Sequence, residues 1–378
     1  MNMKRVALGA AFATAIAAAM MPAQARELKA STHLPPKNDT IANGWVPFVK
    51  YVEDRTKGEL KIKVFNGGAL LGPRAAAEGI RDGVVDLGYV IVGYHTAEFP
   101  YLGGFANDVS AIGVDPVAVV AATSEWVFQH CAPCLADFEK QGNVFTGAGA
   151  VPGMVIMSKV KLDSLEDYNG RKIRSNGGFW DEFIKTLGAV PVNVPSSEQY
   201  EALNRGLVEA VIHVPSSMKT YGLWDMVKDV TLINFGVYRS INTFTFNPKS
   251  WQSLTTPQRK AVLESAMDAN LDIAYGYGKT GEEALEESKK KGISIHKPGP
   301  ALQMKIDAFI KDVSVKGIEL GKTKYNIADA DKVVDTITQL NAKWQKIWEE
   351  CNGDLAKFKV RAREEIVAKI DPAKYFVK

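Results

Sequence analysis

Two cysteines three residues apart, Cys131 and Cys134, have a type and spacing that could do chemistry. Such a pair can form a local disulfide, act as a redox-active dithiol or contribute two ligands to a zinc site. No thioredoxin-like βαβ pattern surrounds the pair, and too few further zinc ligands lie nearby. We therefore expect a structural disulfide, as is usual in an oxidising compartment. Cys351 is then left over, either free or buried.

Motifs for covalent or metal-assisted catalysis are absent from the sequence. The chain contains no Gly-x-Ser-x-Gly elbow and no His-Glu-x-x-His. No Gly-Lys-Ser/Thr follows a glycine-rich strand exit, so we interpret Gly67-Gly68 as ordinary turn chemistry. Scattered carboxylates keep an enzyme open as an alternative, but we expect no catalytic residues, no metal and no cofactor.

The N-terminal 25 residues have the three-part layout of a secretory signal peptide. Lys4 and Arg5 precede an Ala-rich apolar run from Val6 to Met21, and Ala23-Gln24-Ala25 follows. Because the run is shorter than the roughly 20 residues needed to span a bilayer, we expect cleavage after Ala25 and export to the periplasm. Cleavage removes two positive charges, Lys4 and Arg5, and lowers the formal net charge from +3 to +1. A net charge this small gives no indication of nucleic-acid binding.

Strand and helix patterns alternate through the first two thirds of the chain, which is typical of an α/β fold with largely parallel sheets. The length exceeds a single usual core, so we expect two domains with a binding cleft between them. From Thr256 onward the pattern is that of charged, amphipathic helices. The predicted strands are 27–32, 60–65, 85–92, 151–158, 172–174, 190–194, 208–214 and 244–246. The predicted helices include 39–58, 76–83, 121–141, 178–187 and 198–205.

Four segments in register resemble the extracytoplasmic binding proteins of tripartite ATP-independent periplasmic (TRAP) transporters, of the DctP-like family. Singly each is weak, but together they extend over most of the chain, from about residue 28 to 270. The segments are Gly67–Gly72 with Gly83–Leu87, Ser164–Arg174, Leu187–Glu209 and Phe246–Leu254.

This resemblance implies a periplasmic-binding-protein fold of two α/β lobes, with hinge strands near Ala150 and Arg239 and long bridging helices. Lobe 1 would comprise 26–149 plus 243–275, and lobe 2 would comprise 150–242 plus 276–378 with the C-terminal helices. It also implies a monomer that delivers its ligand to the small and large TRAP membrane subunits, which use an ion gradient.

The resemblance also assigns a ligand-binding role to Arg174, at the end of the Lys172-Ile-Arg174 strand. A guanidinium offers a planar fork of donors that matches the two oxygens of a carboxylate. On position alone, a solvated ion pair with Asp181 or Glu182 would be the better explanation of this arginine, and only the resemblance favours the ligand-binding role. Relatives carry Asn where this chain has His213, which could donate a hydrogen bond and, if protonated, make capture depend on pH.

Other residues are expected near the ligand on the same basis. One of Tyr89 and Tyr94 would close over the ligand, and the other would belong to the core. Phe179 or Trp180, which follow Arg174 in the chain, would supply an aromatic wall of the pocket. These candidates are His33, Asn38, Tyr89, Tyr94, Asn176, Phe179 and Trp180.

The ligand class follows from the charges available. Residues 148–157 contain no Arg or Lys, which favours a monocarboxylate with a hydroxy-, oxo- or aromatic body, although Arg74 or Arg239 could supply a second positive charge. Three alternatives remain: the binding protein of an ATP-driven importer, a periplasmic enzyme, and a thiol-disulfide exchange protein built on Cys131 and Cys134.

Overall fold

A computed structural model describes residues 25–377. The predicted signal peptide occupies 1–25, so all of it except Ala25 lies outside the described residues. Among the described helices, none combines the length and the apolar character needed to cross a membrane.

Five strands form the first sheet, with three parallel strands on one side. Strands and helices are numbered in chain order, and the strand order in this sheet is β2-β1-β3-β10-β4. Its polar and apolar residues alternate at Leu60–Phe65, as the sequence predicted. The strands are β1 (Arg26–Ser31), β2 (Leu60–Phe65), β3 (Leu87–Val90), β4 (Ala148–Val151) and β10 (Tyr238–Phe246).

Six strands form the second sheet, in the order β11-β9-β5-β8-β6-β7. Val155, Met157, Val211 and Val230 from its central strands belong to a buried apolar cluster on this sheet. The strands are β5 (Met154–Ser158), β6 (Lys172–Ser175), β7 (Val190–Asn193), β8 (Ala210–His213), β9 (Asp229–Phe235) and β11 (Ser294–His296).

The chain crosses between the sheets at two short strand connections. Pro152-Gly153 joins β4 in the first sheet to β5 in the second, and Gly236-Val237 joins β9 back to β10. In each sheet the strand that has just crossed, β5 or β10, pairs antiparallel with its neighbours, while the other strands share one direction. The sheets are therefore largely parallel, and the predicted hinge strands near Ala150 and Arg239 coincide with the crossings.

Helices cover both sheets, and the longest, Thr256–Lys290, contacts β4 near one end and β11 near the other. The helices are α1 (Val46–Arg55), α2 (Ala76–Arg81), α3 (Ala106–Asp108), α4 (Pro116–Glu125), α5 (Ala132–Lys140), α6 (Phe179–Thr186), α7 (Gln199–Asn204), α8 (Ser217–Thr220), α9 (Pro248–Gln252), α10 (Thr256–Lys290), α11 (Pro300–Lys324), α12 (Ala330–Glu350) and α13 (Leu355–Glu365). Single turns of π-helix occur at Ile41–Trp45, Pro100–Phe105 and Trp126–His130.

The α/β fold with two sheets, crossing strands and a long bridging helix confirms the predicted fold class. Three strands were missed: β4, which the predicted strand 151–158 touches only at Val151, β9, and β11, which has too few residues for a periodic pattern. A Gly-x-Gly-x-x-Gly run at 276–281 lies inside α10 rather than after a strand, so it forms no nucleotide-binding turn.

The two cysteines at the start of α5 form the expected disulfide. Cys131 and Cys134 are bonded, with Cα atoms 5.2 Å apart, and both are buried. Cys351 is reduced and buried. Within residues 25–377, no group of His, Cys, Asp and Glu side chains could hold a metal ion.

Candidate ligand-binding site

Arg174 is fully buried in β6, and its guanidinium is held by the strands on both sides. Nε donates to the carbonyl of Val194, just after β7, at 2.8 Å, and Nη1 donates to the carbonyl of Ile212 in β8 at 3.2 Å. Nη2 is buried and makes no hydrogen bond of good geometry among the described residues, and the hydroxyl of Tyr94 lies near the guanidinium. Two of the three guanidinium nitrogens therefore fix the orientation of the group, and the third, Nη2, is available for an acceptor.

The surface ion pair considered for Arg174 does not form. Asp181 accepts a short hydrogen bond from Ser175 Oγ, and Glu182 pairs with Lys185 at 2.7 Å. Burial lowers the pKa of Arg174. The phenol oxygens of Tyr94, Tyr221 and Tyr238 lie close enough to act in the opposite direction and favour the charged form.

A small cavity of about 30 Å³ lies between the two sheets, where the chain crosses from one to the other. Val151 at the end of β4, Met154 at the start of β5 and Tyr238 at the start of β10 all line it. Five lining residues are tyrosines, namely Tyr89, Tyr94, Tyr221, Tyr238 and Tyr277. The remaining residues are polar or aliphatic, namely Asn38, Asn176, Ser196, His213, Leu34, Ile91 and Ile241.

Most of the lining tyrosines are held neutral by burial. Burial raises the pKa of Tyr221 to about 12 and raises the pKa values of Tyr89, Tyr238 and Tyr277 well above their ordinary value. These side chains therefore present O–H donors rather than phenolates. The hydroxyl of Tyr238 has no hydrogen-bond partner within the described part of the chain.

Three of the polar contacts around the cavity join the two halves of the fold. Asn38 Nδ2, from the loop after β1, donates to the hydroxyl of Tyr221, which follows α8, at 3.4 Å. The amide N–H of Ser196 donates to the hydroxyl of Tyr94 at 3.1 Å. Arg74 also donates across the cleft, from Nη2 to Asn193 Oδ1 at 3.2 Å. Direct hydrogen bonds therefore connect the two halves of the fold beside the cavity.

His213 lies in the cavity wall at the end of β8, as expected, but it does not supply a positive charge. Its pKa is lowered well below 6.5 by burial first and by the charge of Arg174 second. Its ring packs edge-on against Tyr221 with centroids 5.8 Å apart, and Nδ1 has no partner among residues 25–377. A ring N–H can still donate a hydrogen bond, whereas the lowered pKa disfavours the protonated, charged ring near neutral pH.

His33 lies outside the lining of the cavity. Its ring packs against Tyr89, with centroids 5.4 Å apart, and burial lowers the pKa of His33 to about 4. It is therefore neutral and contacts a residue of the lining rather than forming part of it. Tyr89 and Tyr94 both line the cavity, whereas the sequence interpretation assigned only one of them to the ligand.

Phe179 and Trp180 do not form a wall of this cavity. Both are buried in an aromatic cluster with Phe235 of β9 and Phe309 of α11, with ring centroids 5.0 Å apart for Phe179 and Phe309 and 5.5 Å apart for Trp180 and Phe235. Gly177 has a positive φ, so the chain turns sharply after Asn176 and directs α6 toward α11. The aromatic wall comes instead from the tyrosines.

Three lining tyrosines, Tyr221, Tyr238 and Tyr277, were missed by the sequence interpretation. Tyr238 is the first residue after a crossing connection, and that position was a usable signal. Tyr277 lies in the middle of α10, and Tyr221 follows the short helix α8, so neither has a local pattern that indicates proximity to Arg174.

The two-sheet fold and the cavity at its crossings define the class of protein as a periplasmic-binding-protein type. The profile of bacterial extracellular solute-binding protein family 7 matches residues 31–316, and the chain therefore belongs to that family. The resemblance to TRAP-type binding proteins is thereby confirmed. A curated relative, a solute-binding protein of Albidiferax ferrireducens, is 26% identical over 256 residues, which cover 64% of this chain and 73% of the relative.

Solved structures with the same fold are TRAP solute-binding proteins. One, from an unidentified microbe of a marine metagenome, is specific for aromatic acid ligands and contains metahydroxyphenylacetate; it is 22% identical, with a TM-score of 0.74 over 84% of this chain and 99% of that one. Another, from Rhodoferax ferrireducens, contains copurified benzoate; it is 18% identical, with a TM-score of 0.74 over 85% of this chain and 99% of that one. At these identities the likeness establishes the fold.

Proposed function

We propose that this protein captures a small organic monocarboxylate with a hydroxy-, oxo- or aromatic body and delivers it to the small and large TRAP membrane subunits for ion-gradient-driven uptake. The observation that supports this most strongly is the buried guanidinium of Arg174, whose Nη2 makes no hydrogen bond of good geometry among the described residues. Arg174 is not itself a lining residue, but three tyrosines that line the cavity, Tyr94, Tyr221 and Tyr238, lie close enough to act on its charge. A carboxylate oxygen would satisfy that donor and compensate the buried charge.

The charge of the lining supports a single carboxylate. Among the described lining residues there is no Asp, Glu or Lys, so a ligand ammonium group would find no counter-charge. A second carboxylate would be buried against phenols alone, which is costly. Arg239 donates to the carbonyl of Ile112, and Arg74 lies at the rim, over the ring of Tyr94, so neither lines the cavity.

The narrowness of the cavity supports capture by closure. About 30 Å³ admits no organic acid, so the ligand would enter an open form and be enclosed as the lobes move about 152–153 and 236–237. The proposed lobes are 26–149 with 243–275 and 150–242 with 276–378. The proposed mature protein begins at Arg26, acts as a periplasmic monomer and carries out no catalysis.

The binding protein of an ATP-driven importer is not favoured, because the family and the structural neighbours are those of TRAP systems. Among the described residues, no group of side chains that could hold a metal ion supports a metalloenzyme. Cys131 and Cys134 are buried, which does not support a thiol-disulfide exchange protein.

A thermal-shift screen of residues 26–378 tests the proposal. The panel contains benzoate, metahydroxyphenylacetate, mandelate, succinate, glycine, glucose and spermidine. A ligand at a hundredfold excess over its dissociation constant adds about 2.7 kcal/mol to the free energy of unfolding. We expect only benzoate, metahydroxyphenylacetate and mandelate, the monocarboxylates without an ammonium group, to raise the melting temperature. A shift with succinate, glucose, spermidine or glycine and none with these three acids would contradict the proposed ligand class.

A further inference from the structure

Four residues form a contact across the rim of the cavity, which we call the rim clasp: Arg74, Tyr94, Asn193 and Ser196. The guanidinium carbon of Arg74 lies 5.5 Å from the centroid of the Tyr94 ring. The same guanidinium donates to Asn193 Oδ1 at 3.2 Å. The hydroxyl of Tyr94 accepts from the amide of Ser196 at 3.1 Å. One arginine thus holds a tyrosine of the lining and also reaches the opposite half of the fold.

The two sides of the rim clasp come from different sheets. Arg74 precedes α2, and Tyr94 follows β3 of the first sheet. Asn193 is the last residue of β7 in the second sheet, and Ser196 follows that strand. These contacts can therefore exist only when the two halves are close together. Opening of the cleft must break them before a bound molecule can leave.

Asn193 connects the rim clasp to the turn that follows Arg174. It pairs in register with Ser175, the residue after Arg174. A Cβ atom on Gly177 would lie 2.5 Å from Asn193 Nδ2, so the glycine allows this side chain to pack directly against the turn. A displacement of Asn193 would therefore also move the backbone at Ser175 and Gly177, next to Arg174.

Arg74 is exposed and is not committed to a carboxylate. Within the described residues it takes part in no ion pair, whereas nearby Arg81 is bonded to Asp82 at 2.8 Å. Arg81 makes no hydrogen bond or ion pair to the second sheet in the described structure, so it provides a matched control for charge in the same segment.

We propose that Arg74 is a positioning residue that acts through Tyr94 to set how long an organic acid stays in the closed cleft, without selecting which acid enters. This inference rests on the proposed function. A guanidinium over an exposed aromatic face, with one further hydrogen bond across the rim, corresponds to about tenfold in an equilibrium constant. Since the rim clasp forms after entry, its loss should raise the dissociation rate and leave the association rate nearly unchanged.

Stopped-flow binding of metahydroxyphenylacetate measures both rates in the wild-type protein, Arg74→Gln, Arg81→Gln and Tyr94→Leu. We expect Arg74→Gln to raise the dissociation rate about tenfold, with an association rate within about twofold of wild type. Arg81→Gln should behave as wild type. Adding Arg74→Gln to Tyr94→Leu should raise the dissociation rate by clearly less than tenfold, because the contact with the ring is already lost and only the hydrogen bond to Asn193 remains to be broken.

A slower, salt-dependent association with an unchanged dissociation rate would overturn the inference, because Arg74 would then only attract anions. An equal effect of Arg81→Gln would do the same. If metahydroxyphenylacetate fails to bind the wild-type protein, that failure counts against the proposed function and leaves the rim clasp to be tested separately. The separate test is amide hydrogen exchange at Ser196 in the ligand-free protein, because this amide donates to the hydroxyl of Tyr94. We expect faster exchange in Arg74→Gln than in Arg81→Gln, and equal rates would reject the inference.

Discussion

The two most deeply buried arginines in the described part of the chain have surroundings that differ in one decisive respect. Arg174 in β6 and Arg239 in β10 are 0% and 1% exposed. Burial lowers the pKa of both, to about 9 for Arg239. Neither arginine lines a cavity found among the described residues, but three tyrosines that line the cavity, Tyr94, Tyr221 and Tyr238, act on the charge of Arg174, whereas Arg239 lies against the loop carbonyl of Ile112.

The comparison shows that burial of a cation does not by itself identify a ligand site. Both arginines have guanidinium nitrogens with no hydrogen-bond partner in the described structure: Nη2 of Arg174, and Nε and Nη1 of Arg239. Only the charge of Arg174 is affected by tyrosines that line the cavity, and their hydroxyls are further donors for an anion. We therefore interpret Arg174 as the ligand-binding residue and Arg239 as a structural one at the hinge.

The largest expected effect is that of Arg174→Met on affinity. Truncating one partner of a buried, hydrogen-bonded charge pair typically costs 2–5 kcal/mol or more, which is about a hundredfold loss of affinity or greater. Isothermal titration calorimetry with metahydroxyphenylacetate measures this loss. Because the substitution also leaves the carbonyls of Val194 and Ile212 unpaired, Arg174→Lys serves as a second variant that keeps the charge. An affinity within about threefold of wild type in both variants would reject the assigned role.

Arg239→Met should leave that affinity within about twofold and should raise the free energy of unfolding by about 1 kcal/mol at pH 7. The sign follows from the lowered pKa of Arg239. A base whose folded pKa lies below its unfolded value destabilises the folded state at pH values below the folded pKa, and the penalty fades as pH rises above about 9. Urea denaturation at pH 7 measures the change. A large loss of affinity in this variant would remove the distinction between the two arginines.

Tyr238→Phe sharpens the comparison, because Tyr238 precedes Arg239 in the chain but belongs to the cavity near Arg174. Loss of its hydroxyl removes about 1 kcal/mol of ligand binding, or about fivefold in affinity, without leaving a broken hydrogen bond in the ligand-free protein. The matched control is Tyr375→Phe. The hydroxyl of Tyr375 donates to the carbonyl of Phe145 at 2.8 Å, so its loss should lower stability and spare affinity. The reverse pattern would place the ligand elsewhere.

The smallest expected effect is that of pH on affinity. Since the pKa of His213 is well below 6.5, its ring stays neutral between pH 6 and 8 and contributes no charge to ligand binding. The affinity for metahydroxyphenylacetate should therefore be constant over this range, by calorimetry in buffers of matched ionic strength. Binding that tightens steadily as pH falls from 8 to 6 would mean that His213 gains a proton with the ligand.

Much of the fold could be predicted from the sequence, because the signals involved are local. The strands around Arg174 and the alternation at 60–65 agree with the structure. The expectation that the crossings lie near Ala150 and Arg239 also agrees. β11 was missed because three residues carry no periodic pattern, and its pairing with β9 is a long-range contact.

The composition of the cavity was harder to predict, because it depends on elements far apart in the chain. Arg174 and His213 lie in the neighbouring strands β6 and β8, and they were placed at the ligand through the resemblance to TRAP-type binding proteins rather than through a local pattern. Tyr277 reaches the same cavity from the middle of α10, which depends on how that helix crosses both sheets. Phe179 and Trp180 were placed at the ligand because they follow Arg174, but the turn at Gly177 directs them to α11.

The most direct test of the central claim is a crystal structure of the protein with bound metahydroxyphenylacetate. The account predicts a carboxylate oxygen within about 3 Å of Arg174 Nη2, with the ring of the ligand among the tyrosines of the cavity. A carboxylate held by Arg74 or Arg239 instead, or a ligand outside the space between the two sheets, would contradict it.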